Sequence, residues 1–300
     1  VAPNEPPPTE APQATHPATL PTATAPVATA SSSHPVDLTN LPLGDSHLVS
    51  APTIGGIWPC RIDPNAGGAF QDGPWIKGTT YDFTARATVD GAVTWQNSLQ
   101  ITTNGGQRVI VSNGVPNHAT GQFPIASSDD AYQYDRNPNR IAPQTIRLAL
   151  PLNPTLAAQP SCAPGEVGIL LTGAKLFNAL DAPGRDAVAR ETQDACYGHP
   201  QQQGVYHYHA LTNCLPDTPT ADGHSSLMGY VYDGFGLYGH HSFNGQTLTS
   251  ADLDECHGHT HTIVWDGQAV EMYHYHATWD FPYAVGCLRG TPIRGASGPP

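Results

Sequence analysis

The sequence predicts a mainly β protein: a single β-rich domain with many loops and few short helices, behind an extended Pro/Thr-rich N-terminal arm. Three observations carry that expectation. Gly and Pro contribute 30 residues each to a chain of 300, a density of breakers that leaves room only for short elements. The apolar runs are short, β-branched or aromatic, and bounded by Gly, Pro, Asn and Asp. None approaches the roughly 18 residues of a membrane helix, so no membrane span is expected.

Residues 1–57 read as the arm. Of residues 1–40, 27 are Pro, Ala, Thr or Ser, and neither an aromatic residue nor a Lys or Arg precedes Trp58 and Arg61. Such a segment has too little apolar area to offset its ordering entropy. Proline stiffens it, so it is expected to lie extended on another copy of the chain, building a homo-oligomer or homopolymer through residues 1–40. Its Thr and Ser beside Pro suit O-linked glycans. The start at Val1 reads as a processed mature form.

Residues 58–290 read as the globular domain and 291–300 as a tail. Strands are expected at 81–87, 107–112, 145–150, 167–171, 205–210, 228–232, 262–265 and 270–277. Asp266-Gly267 between the last two marks a hairpin turn. A short helix is expected over 184–193.

Charge and cysteines narrow the function. Twelve Lys and Arg against 25 Asp and Glu give a net charge of −13, so nucleic acid and anionic membranes are poor partners. The six cysteines, Cys60, Cys162, Cys196, Cys214, Cys256 and Cys287, contain no CxxC pair, which argues against zinc ribbons and thioredoxin-type sites. Their even number with few Lys suggests a secreted, extracellular or cell-surface protein.

An internal repeat occupies the last third. Asp194-Ala195-Cys196-Tyr197-Gly198-His199, Tyr206-His207-Tyr208-His209-Ala210 and Cys214-Leu215 are matched by Asp254-Glu255-Cys256-His257-Gly258-His259, Tyr273-His274-Tyr275-His276-Ala277 and Cys287-Leu288. The copies span 194–215 and 254–288. They suggest disulfides closed within each copy, Cys196–Cys214 and Cys256–Cys287, leaving Cys60–Cys162, although six cysteines allow 15 connectivities.

On a strand, Tyr-His-Tyr-His places both histidines on one face and both tyrosines on the other. If the two copies pair as neighbouring strands, His207, His209, His274 and His276 converge, a nitrogen-rich site for copper, with zinc the alternative. A histidine in a strand is commonly structural, but 11 of the 15 histidines fall between His199 and His276. His118, His199 and His259 are the reserve ligands. Calcium at Asp252, Asp254 and Glu255 fits less well, since the spacing lacks the EF-hand pattern.

The two YHYH segments resemble the YHYH protein family. So do the preceding C-x-G-H, the run Tyr230-Val231-Tyr232-Asp233-Gly234-Phe235-Gly236-Leu237-Tyr238-Gly239, the run Asp280–Cys287, and the upstream Ser112–His118. The resemblance covers roughly residues 80–290. It implies a largely secreted or surface family without a settled activity, and favours His118, His199, His224 and His259 for a shared site. Gly236 stands where the family often shows Pro.

No GxSxG elbow, HExxH helix or phosphate loop is present. The expected function is therefore a secreted metal-binding structural protein, a subunit of an extracellular assembly or filament. The alternatives are a copper oxidoreductase, a zinc hydrolase or a passive metal scavenger. An enzyme would need a base beside the histidines, for which Asp194, Asp233 and Asp254 are the candidates.

Overall fold

The computed structural model describes residues 36–293, which fall in one compact unit. It is mainly β, with one short α-helix, Ala187–Arg190, and several 3-10 turns. Residues 1–35 and 294–300 lie outside the described residues, and with them most of the expected assembly and glycan segment. Residues 36–57 do not extend away as an arm. Leu41–Pro42 pairs with Thr80–Tyr81, and Leu41, Leu43 and Ile57 are buried in the main core.

An eight-stranded mixed sheet dominates. Its spatial order is Gly198–Pro200, Tyr206–Tyr208, Lys175–Phe177, Glu166–Leu170, Leu227–Val231, Gly236–Tyr238, Gln268–His276, Gly258–Trp265. That order is palindromic. From the centre outward, each half runs antiparallel, then parallel, then antiparallel: Glu166–Leu170 with Lys175–Phe177 with Tyr206–Tyr208 with Gly198–Pro200, and the corresponding four strands on the other side.

The join between the halves explains the palindrome. Ile169 pairs with Tyr230, and the flanking pairs are Gly168 with Val231 and Leu170 with Gly229. Aligning Val167–Asn178 with Met228–Gly239 makes these pairs exchange with one another, as a local two-fold requires. The duplication is thus longer than the motif repeat and begins with the hairpin at 166–177. Its glycines have separate reasons. A Cβ on Gly168 would lie 2.6 Å from the Tyr230 carbonyl oxygen, and one on Gly229 closer still to that of Ile169. Gly173 and Gly234 turn the two hairpins at φ +92° and +95°, the left-handed region where glycine is favoured.

A second antiparallel sheet, Leu99–Asn104, Gln107–Ser112 and Ile146–Pro151, packs Ile110, Ile146 and Leu150 against Ile169, Tyr230 and Trp265 of the large sheet. The Asp266-Gly267 hairpin forms as expected, with φ +49° and +79° at its two central residues. The strand expected over 81–87 is mostly a 3-10 turn. There the Asp82 carboxylate accepts from the Thr84 and Ala85 amides, offering the backbone a turn in place of a ladder.

All three disulfides follow the expected plan: Cys60–Cys162, Cys196–Cys214 and Cys256–Cys287. No helix of the described residues is long and apolar enough to cross a membrane. Disulfides and the lack of such a helix are compatible with a secreted protein.

Candidate functional site

Each D-x-C-x-G-H motif folds into a tight turn that aims its last histidine. Asp194 Oδ1 accepts from the amides of Cys196 (2.9 Å) and Gly198 (3.2 Å), and Asp254 Oδ1 from those of Cys256 and Gly258 (both 3.0 Å). The residue before each glycine, Tyr197 or His257, has φ +64° or +79°, a conformation that costs a side-chain-bearing residue energy and is held by these carboxylate contacts. The chain then enters an edge strand that pairs His199 with His207 in one copy and His259 with His274 in the other.

Alternation along the Tyr-His-Tyr-His strands works as expected, and the tyrosines anchor the opposite face. Tyr206 donates to Asp194 and Tyr273 to Asp254, while Tyr275 donates to buried Asp233 at 2.6 Å. Asp194, Asp233 and Asp254, the candidate bases, therefore serve tyrosine hydroxyls and backbone amides away from the imidazoles.

The two Tyr-His-Tyr-His strands are not neighbours. Four strands separate them in the sheet, about 24 Å at roughly 4.8 Å per step. The single site expected from His207, His209, His274 and His276 is instead two groups, because each strand pairs with its own copy's hairpin and not with the other copy.

The first group is His199, His207 and His209. His207 Nε2 and His209 Nε2 lie 3.1 Å apart. Their Nδ1 atoms face carbonyl oxygens, of Val205 at 3.1 Å and Asn178 at 2.5 Å. A carbonyl only accepts, so Nδ1 carries the proton and Nε2 of the neutral ring is a lone pair. Burial pushes His209 down to about 4 and His199 and His207 well below the ordinary range, so the rings are neutral at pH 7. Neither nitrogen of buried His199 has a hydrogen-bond partner among the described residues. Glu191, which follows the short helix, places Oε2 at 3.6 Å from His199 Nε2 and 3.5 Å from His209 Nε2. Burial and the nearby Asp135 and Asp181 push its carboxyl well up.

The second group is His224, His259, His274 and His276. The Nε2 atoms of His224, His274 and His276 form a triangle with all three edges 3.2 Å, and His259 Nε2 is 3.1 Å from that of His274. Three Nδ1 atoms again donate to carbonyls: His224 to Ser225, His274 to Met272 and His276 to Gly239. The Asn178 and Gly239 carbonyls are equivalent under the duplication, as are those of Val205 and Met272. Burial pushes His259 down to about 4 and the other three below the ordinary range.

In both groups, neutral lone pairs meet at hydrogen-bond distance with no proton between them. That contact is repulsive unless an electron-pair acceptor sits at the centre. The spacing also fits one. For metal–nitrogen bonds of about 2.0–2.1 Å, a tetrahedron has edges of about 3.3–3.4 Å and a square has diagonals of about 4.1 Å. Three mutual edges of 3.2 Å match the tetrahedron and leave no diagonal for a square.

Residues 147–249 match the model of the family described as YHYH protein. Over that stretch the chain is similar to that family. The matched region holds the first group entire, with His224 of the second, and is narrower than the resemblance read over 80–290. Neither the curated proteins nor the solved structures compared with this chain gave a match.

Of the histidines expected as ligands, His118 joins neither group. Its Nε2 lies 2.6 Å from the Tyr208 hydroxyl, on the tyrosine face. Cys196 and Cys214 lie near it, but both are in a disulfide. Glu191 was not legible in the sequence, since it falls outside both motif copies and reaches the site only through the fold. His224 was favoured by the resemblance alone; its place beside His274 depends on the loop before Leu227–Val231.

Proposed function

We propose that this is a secreted protein that binds two metal ions, one at each histidine group, and that the ion in the second group is structural. The observation that carries this reading is the convergence of Nε2 atoms whose partner nitrogens already hold the ring protons. All-nitrogen donors suit zinc and copper and disfavour calcium. The equal-sided Nε2 triangle favours zinc over copper(II) in the second group, although copper leads in intrinsic affinity. An ion there joins the loop carrying His224 to both outer strands of its half-sheet, which is what a structural ion does for a fold.

Elemental analysis of native full-length protein, purified without a metal-affinity column, tests the reading. About two ions per chain are expected, about one in either His207→Ala or His274→Ala, and none in the double variant. Unchanged stoichiometry in the double variant would sink it.

A further inference from the structure

Resting on that two-ion reading, we infer that the ion at His199, His207 and His209 is an open centre that takes a small anionic ligand from outside the protein, whereas the ion of the second group does not. The two groups descend from one duplicated plan, so their difference is informative. His199 corresponds to His259, His207 to His274 and His209 to His276. The fourth imidazole, His224, has no counterpart: its aligned position in the first copy is Ala163. What replaces it is a cleft.

All three histidines and Glu191 line a cleft of about 1060 Å³, bordered also by Phe177 and Asn178. That size accommodates a small organic molecule. Phe177 stacks on the His207 ring at 3.9 Å between centroids, and the Asn178 carbonyl fixes His209, so one wall of the cleft is the wall that orients the ligands. Glu191 stands to one side, within 3.6 Å of two Nε2 atoms, and does not complete the equal-sided triangle seen in the other half. A metal centre with three protein nitrogens and a fourth position on a cleft is the arrangement that admits an outside ligand, and four enclosing imidazoles is the arrangement that does not. Charge favours an anion. Three neutral imidazoles leave a divalent ion with a net positive charge in a largely buried place, whether the Glu191 carboxyl beside it is neutral or ionised.

Cobalt(II), whose visible absorption reports coordination number, and azide are suitable probes on the full chain. The protein loaded with two cobalt ions is expected to change its spectrum on azide addition, saturating at one azide per two cobalt. The change should persist in His274→Ala and vanish in His207→Ala. Two bound cobalt ions with no azide response, a response at both centres, or one confined to the second group would overturn the inference and leave the two-ion reading standing. If one variant fails to fold, the azide-to-cobalt ratio of the wild-type protein still gives the number of open centres, and the remaining variant decides which group is open. Failure to take up cobalt at all would instead remove the reading on which the inference rests.

Discussion

The two halves of the large sheet share a backbone plan and differ in how each closes its histidine group. In the second half, His224 supplies a fourth imidazole and His274 and His276 are completely buried. In the first, the corresponding corner meets a cleft and the carboxylate of Glu191. The tyrosine faces differ in the same way. Tyr275 donates to the buried carboxylate of Asp233, whereas its counterpart Tyr208 lies 3.2 Å from the hydroxyl of Thr172, at the position aligned with Asp233. Duplication thus supplied the frame twice, and differences at aligned positions leave one half closed by a fourth imidazole and the other bordered by a cleft.

The frame itself can be broken where the halves meet. Gly229→Ala would press a methyl against the Ile169 carbonyl at the centre of the two-fold, with backbone on both sides unable to give way. A loss of more than about 3 kcal/mol is expected, at or beyond the upper end of overpacking costs, read as loss of the cooperative thermal transition. Near-wild-type melting would mean that the halves do not join through this register.

A pH series sharpens the account of how Glu191 is delivered. Asp186 caps the helix that precedes Glu191, accepting from the Ala189 amide, and also accepts from Gly44 and from the Tyr283 hydroxyl. Burial pushes its carboxyl up from 3.8 to about 6. Between those values the folded chain holds a proton that the unfolded chain has released, so raising the pH through the window removes stability. Asp186→Asn has no such proton. The stability of wild type relative to this variant should therefore fall between pH 4 and 6, by up to about 3 kcal/mol for a shift of this size. Chemical denaturation at several pH values measures it, and a flat difference would contradict the assignment.

A smaller effect separates the tyrosine faces. Tyr275→Phe removes a donor to a buried carboxylate and should cost about 2 kcal/mol, while Tyr208→Phe, which removes a hydroxyl beside Thr172 and His118, should cost about 1 kcal/mol. Equal losses would mean that Asp233 does not set the halves apart.

What was legible in the sequence follows from the range of each interaction. Val109, Ile110 and Val111 announce the 107–112 strand, and Asp266-Gly267 announces its hairpin, because both signals are local. Cysteine order within the copies suggests, among 15 possible connectivities, the pairing that the structure shows. The two strands Lys175–Phe177 and Gly236–Tyr238 carry no readable signal, being only three residues long, yet each separates a Tyr-His-Tyr-His strand from the centre of the sheet. Without them the two histidine groups read as one site. The start of the folded region is hard to read for a similar reason: Leu38, Leu41 and Leu43 are interspersed with polar and proline residues, and only pairing with Thr80–Tyr81 and burial in the main core show Leu41 and Leu43 to be core.

The central claim is that two unlike metal centres occupy the two halves. Anomalous scattering from crystals grown with zinc, recorded at the zinc edge, tests it most directly. The account predicts two peaks per chain, one enclosed by His224, His259, His274 and His276, the other held by His199, His207 and His209 at the cleft. A single peak bridging the two Tyr-His-Tyr-His strands, or no peak at either group, would contradict it.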